Sequence, residues 1–112
     1  MSLPLRTVVR AGDLHFFSGQ VGHVAGTVVE GGVRAQADAA LKNLVDALTD
    51  AGLTAGDVVK TTVYLTSLGD YAEMNEAYSA VFTTEPPART AVCVSALPLG
   101  ALIEIEAVAW RP

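Results

Sequence analysis

Leu102-Ile103-Glu104-Ile105-Glu106-Ala107-Val108-Ala109-Trp110 reads as a β-strand in strict alternation. Successive strand side chains point to opposite faces. Ile103, Ile105, Ala107 and Ala109 therefore share one face, and Leu102, Glu104, Glu106, Val108 and Trp110 share the other. The first set is small and aliphatic, which suits a sheet face covered by helices. The second mixes carboxylates with Val108 and Trp110, unlike the plainly polar face of a solvated sheet. A mixed, uncovered face of this kind predicts a partner subunit.

The rest of the chain must supply the helices and the other strands. Before this strand lies a turn around Pro98 to Gly100, and before that a strand over Arg89 to Ser95. Pro86-Pro87 ends a helix and imposes an extended path. That helix starts at Asp70, with Glu73 three residues on as in a capping box, and carries Tyr71, Met74, Tyr78 and Val81 on its apolar side. Val58 to Leu65, rich in Val, Thr and Tyr, is a strand. Ala35 to Asp50 is a helix, because Ala37, Ala40, Leu41, Leu44 and Leu48 form one stripe at helical spacing. Asp38 and Lys42 sit four apart on its outer face, and Gly52 is placed as its left-handed cap. At the N-terminal end, Arg6 to Arg10 and Leu14 to Ser18 form a hairpin about Ala11-Gly12-Asp13. Gly19 to Gly32 is glycine-rich and strand-like only around Thr27 to Val29. The order β-β-α-β-α-β-β over residues 1–112 is a single α+β domain, a mostly antiparallel sheet with two helices on one face.

Composition narrows the function. A chain that is 51% hydrophobic and 17% charged has a globular composition without disordered character. The formal charge is -5, and the basic residues Arg6, Arg10, Arg34, Lys42, Lys60, Arg89 and Arg111 are scattered. Nucleic-acid binding needs clustered Lys and Arg, so no nucleic-acid partner is expected. Cys93 is the single cysteine, which excludes an internal disulfide and a cysteine-built zinc site. His15 and His23 are isolated, and no metal is expected. No apolar run reaches membrane-span length, and Met1-Ser2-Leu3-Pro4 lacks a charged segment followed by an apolar one. The expectation is a cytoplasmic protein with no membrane partner.

Three places carry candidate chemistry. Arg89 sits at a strand start behind the stiff Pro pair, with small Ala91 and Cys93 on its face. An arginine fork matches a carboxylate with two parallel hydrogen bonds, although a single arginine is more often part of a salt bridge. Glu104 lies in an aliphatic run, where partial desolvation would raise its pKa and suit it to moving protons or positioning water. Its ordinary reading is a carboxylate paired across the sheet, with Lys60 as one possible partner. Glu106 shares its face, and pattern does not choose between them. Ser18-Gly19-Gln20 ends a strand with a hydroxyl and an accessible backbone N–H, or is a plain turn. No Ser-His-Asp set can be assembled, Cys93 has no proposed base, and the glycines form no phosphate loop.

At these residues the chain resembles the Rid family, the reactive intermediate deaminases of RidA or YjgF type. The resemblance runs from Ala11-Gly12-Asp13-Leu14 and Ser18-Gly19-Gln20 through Gln36, Asn43-Leu44 and Gly56-Asp57-Val58-Val59-Lys60-Thr61-Thr62-Val63-Tyr64-Leu65. It continues with Asn75, Tyr78 and Phe82, then Pro87-Ala88-Arg89-Thr90, Leu97-Pro98 and Ile103-Glu104-Ile105-Glu106-Ala107. The last blocks, in order at family-like spacing, are the most specific. The resemblance implies a chorismate-mutase-like α+β fold and a homotrimer with sites between subunits. It implies hydrolysis of 2-aminoacrylate and related 2-imino acids to 2-keto acids and ammonia, without a cofactor. Carried over, Arg89 binds the substrate carboxylate, Glu104 positions or activates water, and Ser18, Gly19 and the backbone at Ala91 line the pocket. Pro4-Leu5 stands where the archetypal subgroup has a proline followed by a tyrosine, and Ala91 stands where it has a cysteine. These departures imply a neighbouring subgroup with a different substrate or weaker 2-aminoacrylate activity. They also open a second reading, a non-catalytic trimer that binds small carboxylates. An endoribonuclease or translation-inhibitor role ranks last, given the charge.

Overall fold

A computed structural model describes residues 3–112. Along the chain run β1 (Val8–Ala11), β2 (Leu14–Val21), β3 (His23–Val24), β4 (Thr27–Val28), α1 (Gly32–Asp50), β5 (Val58–Leu65), α2 (Tyr71–Val81), β6 (Ala88–Cys93) and β7 (Ile103–Trp110). The alternating strand β7 is the centre of a five-stranded sheet in the order β1-β2-β7-β5-β6. It pairs antiparallel with both β2 and β5. Only β5 and β6 run parallel, joined by the α2 crossover that a parallel pair requires. This is the expected α+β fold.

The two faces divide as the alternation predicts. Ile103, Ile105, Ala107 and Ala109 are buried against the helices, and Glu104, Glu106 and Val108 are only partly covered. The stripe Ala37, Ala40, Leu41, Leu44 and Leu48 is buried in the same core. Helix α1 ends on Gly52 at φ 77, where the Gly52 N–H reaches the Thr49 carbonyl at 3.0 Å and the Leu53 N–H reaches the Leu48 carbonyl at 2.8 Å. Those two bonds satisfy the last carbonyls, and the missing Cβ makes the left-handed backbone inexpensive.

Several local expectations change. Strand β2 runs on to Val21, because β7 continues to pair with it past Ser18. The glycine-rich stretch holds a second, two-stranded sheet, β3 with β4, turned on Ala25 at φ 52 and Gly26 at φ 87. Strands this short show no period. Helix α1 starts at Gly32 rather than Ala35, which adds Val33 to its buried side. Asp38 pairs with Arg34 at 3.3 Å and Lys42 with Asp46 at 2.8 Å, so the expected Asp38–Lys42 pair gives way to two others four apart. Asp70 makes no side-chain cap, because its backbone is already helical at the end of the 3-10 turn Leu68–Asp70. A reciprocal cap forms instead at Thr54, whose N–H donates to Asp57 Oδ2 at 2.8 Å.

Two polar residues of α1 tie the helix to the sheet. Asn43 donates to the carbonyls of Val21 and His23 at 3.0 and 3.1 Å, and Gln36 Oε1 accepts the Leu102 N–H at 2.8 Å. They close backbone groups that β2 and β7 would otherwise leave open at this end of the sheet.

Candidate active site

Arg89 lies on the helix side of edge strand β6. It pairs in register with Thr61, whose hydroxyl meets the Tyr78 hydroxyl at 2.6 Å beneath α2. From there the guanidinium reaches along α2. Nη2 donates to the Tyr71 hydroxyl at 2.9 Å, and Nη1 approaches Met74 Sδ at 3.7 Å. The guanidinium carbon stands 4.7 Å from the Tyr78 ring centre and 5.5 Å from that of Tyr71, within cation–π range. Burial pushes the Tyr78 phenol up, while its bond to Thr61 and the Arg89 charge act the other way. Among the described residues no carboxylate lies within ion-pair distance of Arg89. Its positive charge is held in place by aromatic faces and is not neutralised. A cavity of about 420 Å³ opens beside Arg89, lined by Asn75, Ser79, Phe82 and Pro87; Ala91, half-buried on the same face, packs against the core and does not line it.

Glu104 lies on the other side of the sheet. Phe17 pairs with Ala107 and Gln20 with Ile105, so β2 carries one extra residue across Ser18-Gly19. A bulge of this kind re-aims side chains. It brings Gly19 against the Glu104 carboxylate so closely that a Cβ there would stand 2.6 Å from Oε2. Ser18 turns its hydroxyl to the Arg6 carbonyl at 2.6 Å, and its N–H binds the Thr7 carbonyl at 2.9 Å. Glu106 accepts a 2.5 Å hydrogen bond from Tyr64, whose phenol is raised chiefly by that bond. Lys60 donates to Thr90 at 2.7 Å and does not pair with Glu104. The two glutamates are thereby distinguished. Glu106 is bound to a phenol. Among the described residues Glu104 has no ion-pair partner, and burial, then the charge of Glu106, raises its pKa above the ordinary carboxylate value.

That shift makes a stability prediction. A carboxyl raised by folding is penalised for ionising in the folded state, so the penalty is absent at low pH and complete above the folded pKa. Glu104→Gln should therefore raise the melting temperature at neutral pH. The gain should vanish as the pH falls below the ordinary carboxylate range. An unchanged melting temperature at neutral pH would count against desolvation of Glu104.

Of the sequence candidates, Ser18, Gly19 and Glu104 come together on the open face, and Arg89 and Ala91 come together on the helix face. The sheet separates the two groups within one chain. Sequence reasoning missed Tyr71 as the anchor of Arg89, because its place on α2 reads as apolar packing. Its hydroxyl, a polar tip on an otherwise apolar ring, was the available signal. Among the described residues, no three His, Cys, Asp or Glu converge as a metal site, and no helix is long and apolar enough to cross a membrane.

The geometry defines a small α+β domain with an uncompensated guanidinium on one face of its sheet and a desolvated carboxylate on the other. The chain belongs to the Rid family, whose model, described as endoribonuclease L-PSP, matches residues 3–111. It is 47% identical over 103 residues to protein DfrA of Myxococcus xanthus, covering 90% of this chain and 79% of that one. It is 47% identical over 96 residues to the 2-iminobutanoate/2-iminopropanoate deaminase of Homo sapiens, covering 84% of this chain and 70% of that one. Among solved structures, Escherichia coli TdcF with bound serine superposes with a TM-score of 0.93 at 35% identity, covering 100% of this chain and 91% of that one.

Proposed function

We propose that this protein hydrolyses 2-imino acids, formed from enamines such as 2-aminoacrylate, to 2-keto acids and ammonia in the cytoplasm. We further propose that it works as a homotrimer with its sites between subunits. The observation that carries the reading is Arg89, a guanidinium locked against Tyr71 and Tyr78 with no acidic partner among the described residues. A fixed, unneutralised fork matches the two oxygens of a carboxylate. The name of the human relative, at 47% identity, supports the same substrate class.

The chemistry asks little of the protein beyond orientation and a proton path. The enamine tautomerises to the imine. Water adds to the imine carbon and one of its protons passes to the imine nitrogen, giving a carbinolamine. The carbinolamine hydroxyl then gives its proton to the nitrogen, and the C–N bond breaks to release ammonia as the carbonyl forms. Glu104, its pKa raised above the ordinary carboxylate value by burial and then by Glu106, accepts each of these protons from oxygen and passes it to the nitrogen. Gly19 leaves room over the Glu104 carboxylate, and Ser18 holds the N-terminal arm at the cavity wall. The backbone at Ala91, on the same face of β6 as Arg89, completes the proposed pocket. Because the sheet divides Arg89 from Glu104, a ligand that touches both must lie between two copies. The exposed Leu14, Phe16 and Trp110 on the open face support such an assembly.

One observation favours a second reading, a trimer that holds small carboxylates without turnover. The similar TdcF was solved with serine bound. The two are separated by following keto acid release from 2-aminoacrylate generated by a pyridoxal-phosphate-dependent dehydratase. Release well above the uncatalysed rate supports the enzyme. Binding of a 2-keto acid in calorimetry without any such acceleration supports the second reading.

A further inference from the structure

The wall beside Glu104 is apolar in a way that neither the core nor the carboxylate chemistry explains. Ser18 pins the N-terminal arm by its side chain and its N–H, and the arm lays Leu3 and Leu5 along a cavity of about 810 Å³ that Glu104 also lines. Leu99 closes the other side from the turn before β7. All three leucines are more than half exposed, at 68%, 60% and 61%. Leu99 also holds a left-handed backbone, φ 60 and ψ 17, which is uncommon for a branched side chain and persists where the surroundings enforce it. Val21, buried yet outside the helix-side core cluster, lines the same cavity. The cavity is also lined by Thr7, Gln20 and His23 but, among the described residues, by no lysine or arginine, and the part formed by Leu3, Leu5, Val21 and Leu99 is apolar. It offers contact to an aliphatic group attached next to the reacting carbon.

We propose that Leu5 and Leu99 are specificity-determining residues, and that this protein prefers 2-imino acids with an aliphatic side chain of leucine size over 2-iminopropanoate. The inference rests on the deaminase reading above. A methyl group leaves the leucines wet. A branched four-carbon side chain removes apolar surface on both sides from water, and methylene-scale differences in an apolar pocket change kcat/KM by about tenfold or more.

The test compares hydrolysis of the imines that an amino-acid oxidase makes from leucine and from alanine. The leucine-derived imine should have the higher kcat/KM by roughly tenfold. In Leu5→Ser and in Leu99→Asn, which keeps a residue tolerant of left-handed backbone, that ratio should fall toward one. A wild-type ratio of one or below, or a ratio that neither substitution moves, overturns the inference while leaving the deaminase reading standing. Calorimetry with the matching keto acids separates the other failure. If no imine is hydrolysed, tighter binding of 4-methyl-2-oxopentanoate than pyruvate, lost in Leu5→Ser, upholds the apolar wall and rejects the deaminase. Equal binding of the two rejects the wall as well.

Discussion

An equal mixture of Arg89→Ala and Glu104→Gln chains, each inactive alone, should regain about a quarter of wild-type imine hydrolysis once unfolded and refolded together. Removing the arginine fork deletes two charge-assisted hydrogen bonds to the substrate, a loss of about a hundredfold or more in rate. Removing the carboxylate deletes the proton path, a loss of similar size, about a hundredfold. Arg89 faces α2, and Glu104 faces the opposite side of the sheet. In the proposed assembly, each site between subunits takes its arginine from one chain and its glutamate from the next. Random assembly meets each requirement half of the time, so about one site in four carries both groups. The recovered rate is read against the two variants refolded separately. No recovery would mean that the two residues serve one chain's site, or that one of them serves none. Full activity of Arg89→Ala alone would remove the arginine from the reaction.

Gly22→Ala should be the most damaging of the glycine-to-alanine changes. A Cβ at Gly22 would stand 2.3 Å from the Gln36 carbonyl oxygen and 2.7 Å from its Cα, which are backbone atoms of α1. The segment cannot withdraw. Asn43 of α1 holds the carbonyls on both sides of Gly22, those of Val21 and His23, and the Gly22 carbonyl accepts the Val29 N–H at 2.9 Å. Relief must break these bonds or shift the helix in a close-packed interior, at a cost of roughly 3 kcal/mol. In a chain of this size that is a fall of about 10 °C in melting temperature. Gly12→Ala is the control. It is left-handed at φ 61 with open space around its Cβ position, so only the backbone penalty of about 1 kcal/mol applies. A Gly22→Ala protein no less stable than Gly12→Ala would refute the close approach.

Much of this was legible before folding. Alternation in Leu102 to Trp110 assigned each residue of β7 to its face, because a strand's period depends only on backbone geometry. The helical stripe and the Gly52 cap were legible for the same local reason. What failed were readings of partners. Asp38, Lys42 and Asp70 each had a plausible neighbour in sequence, yet the structure gave Asp38 and Lys42 different partners and left the side chain of Asp70 without a capping bond. Spacing places several acceptors within reach of one donor, and surface pairs differ too little in energy for spacing to rank them. The choice between Glu104 and Glu106 was illegible for a related reason. Both alternate onto one face, and only the cross-strand Tyr64 and the bulge at Ser18-Gly19 tell them apart.

Periodicity and turn chemistry are properties of neighbouring residues, so the chain's order of residues was enough to determine a helix-backed, mostly antiparallel sheet with a mixed open face. The family resemblance, rather than pattern alone, proposed Arg89 and Glu104. Alternation already put Glu104 on the open face; which side Arg89 serves, and what stands opposite each residue, was decided by tertiary structure. Arg89 faces the helices because β6 joins β5 in parallel with Arg89 beside Thr61, under Tyr71 and Tyr78. Glu104 faces away because β7 meets β5 with Tyr64 opposite it. Register is set by contacts between strands distant in sequence, and a slip of one residue would exchange the faces.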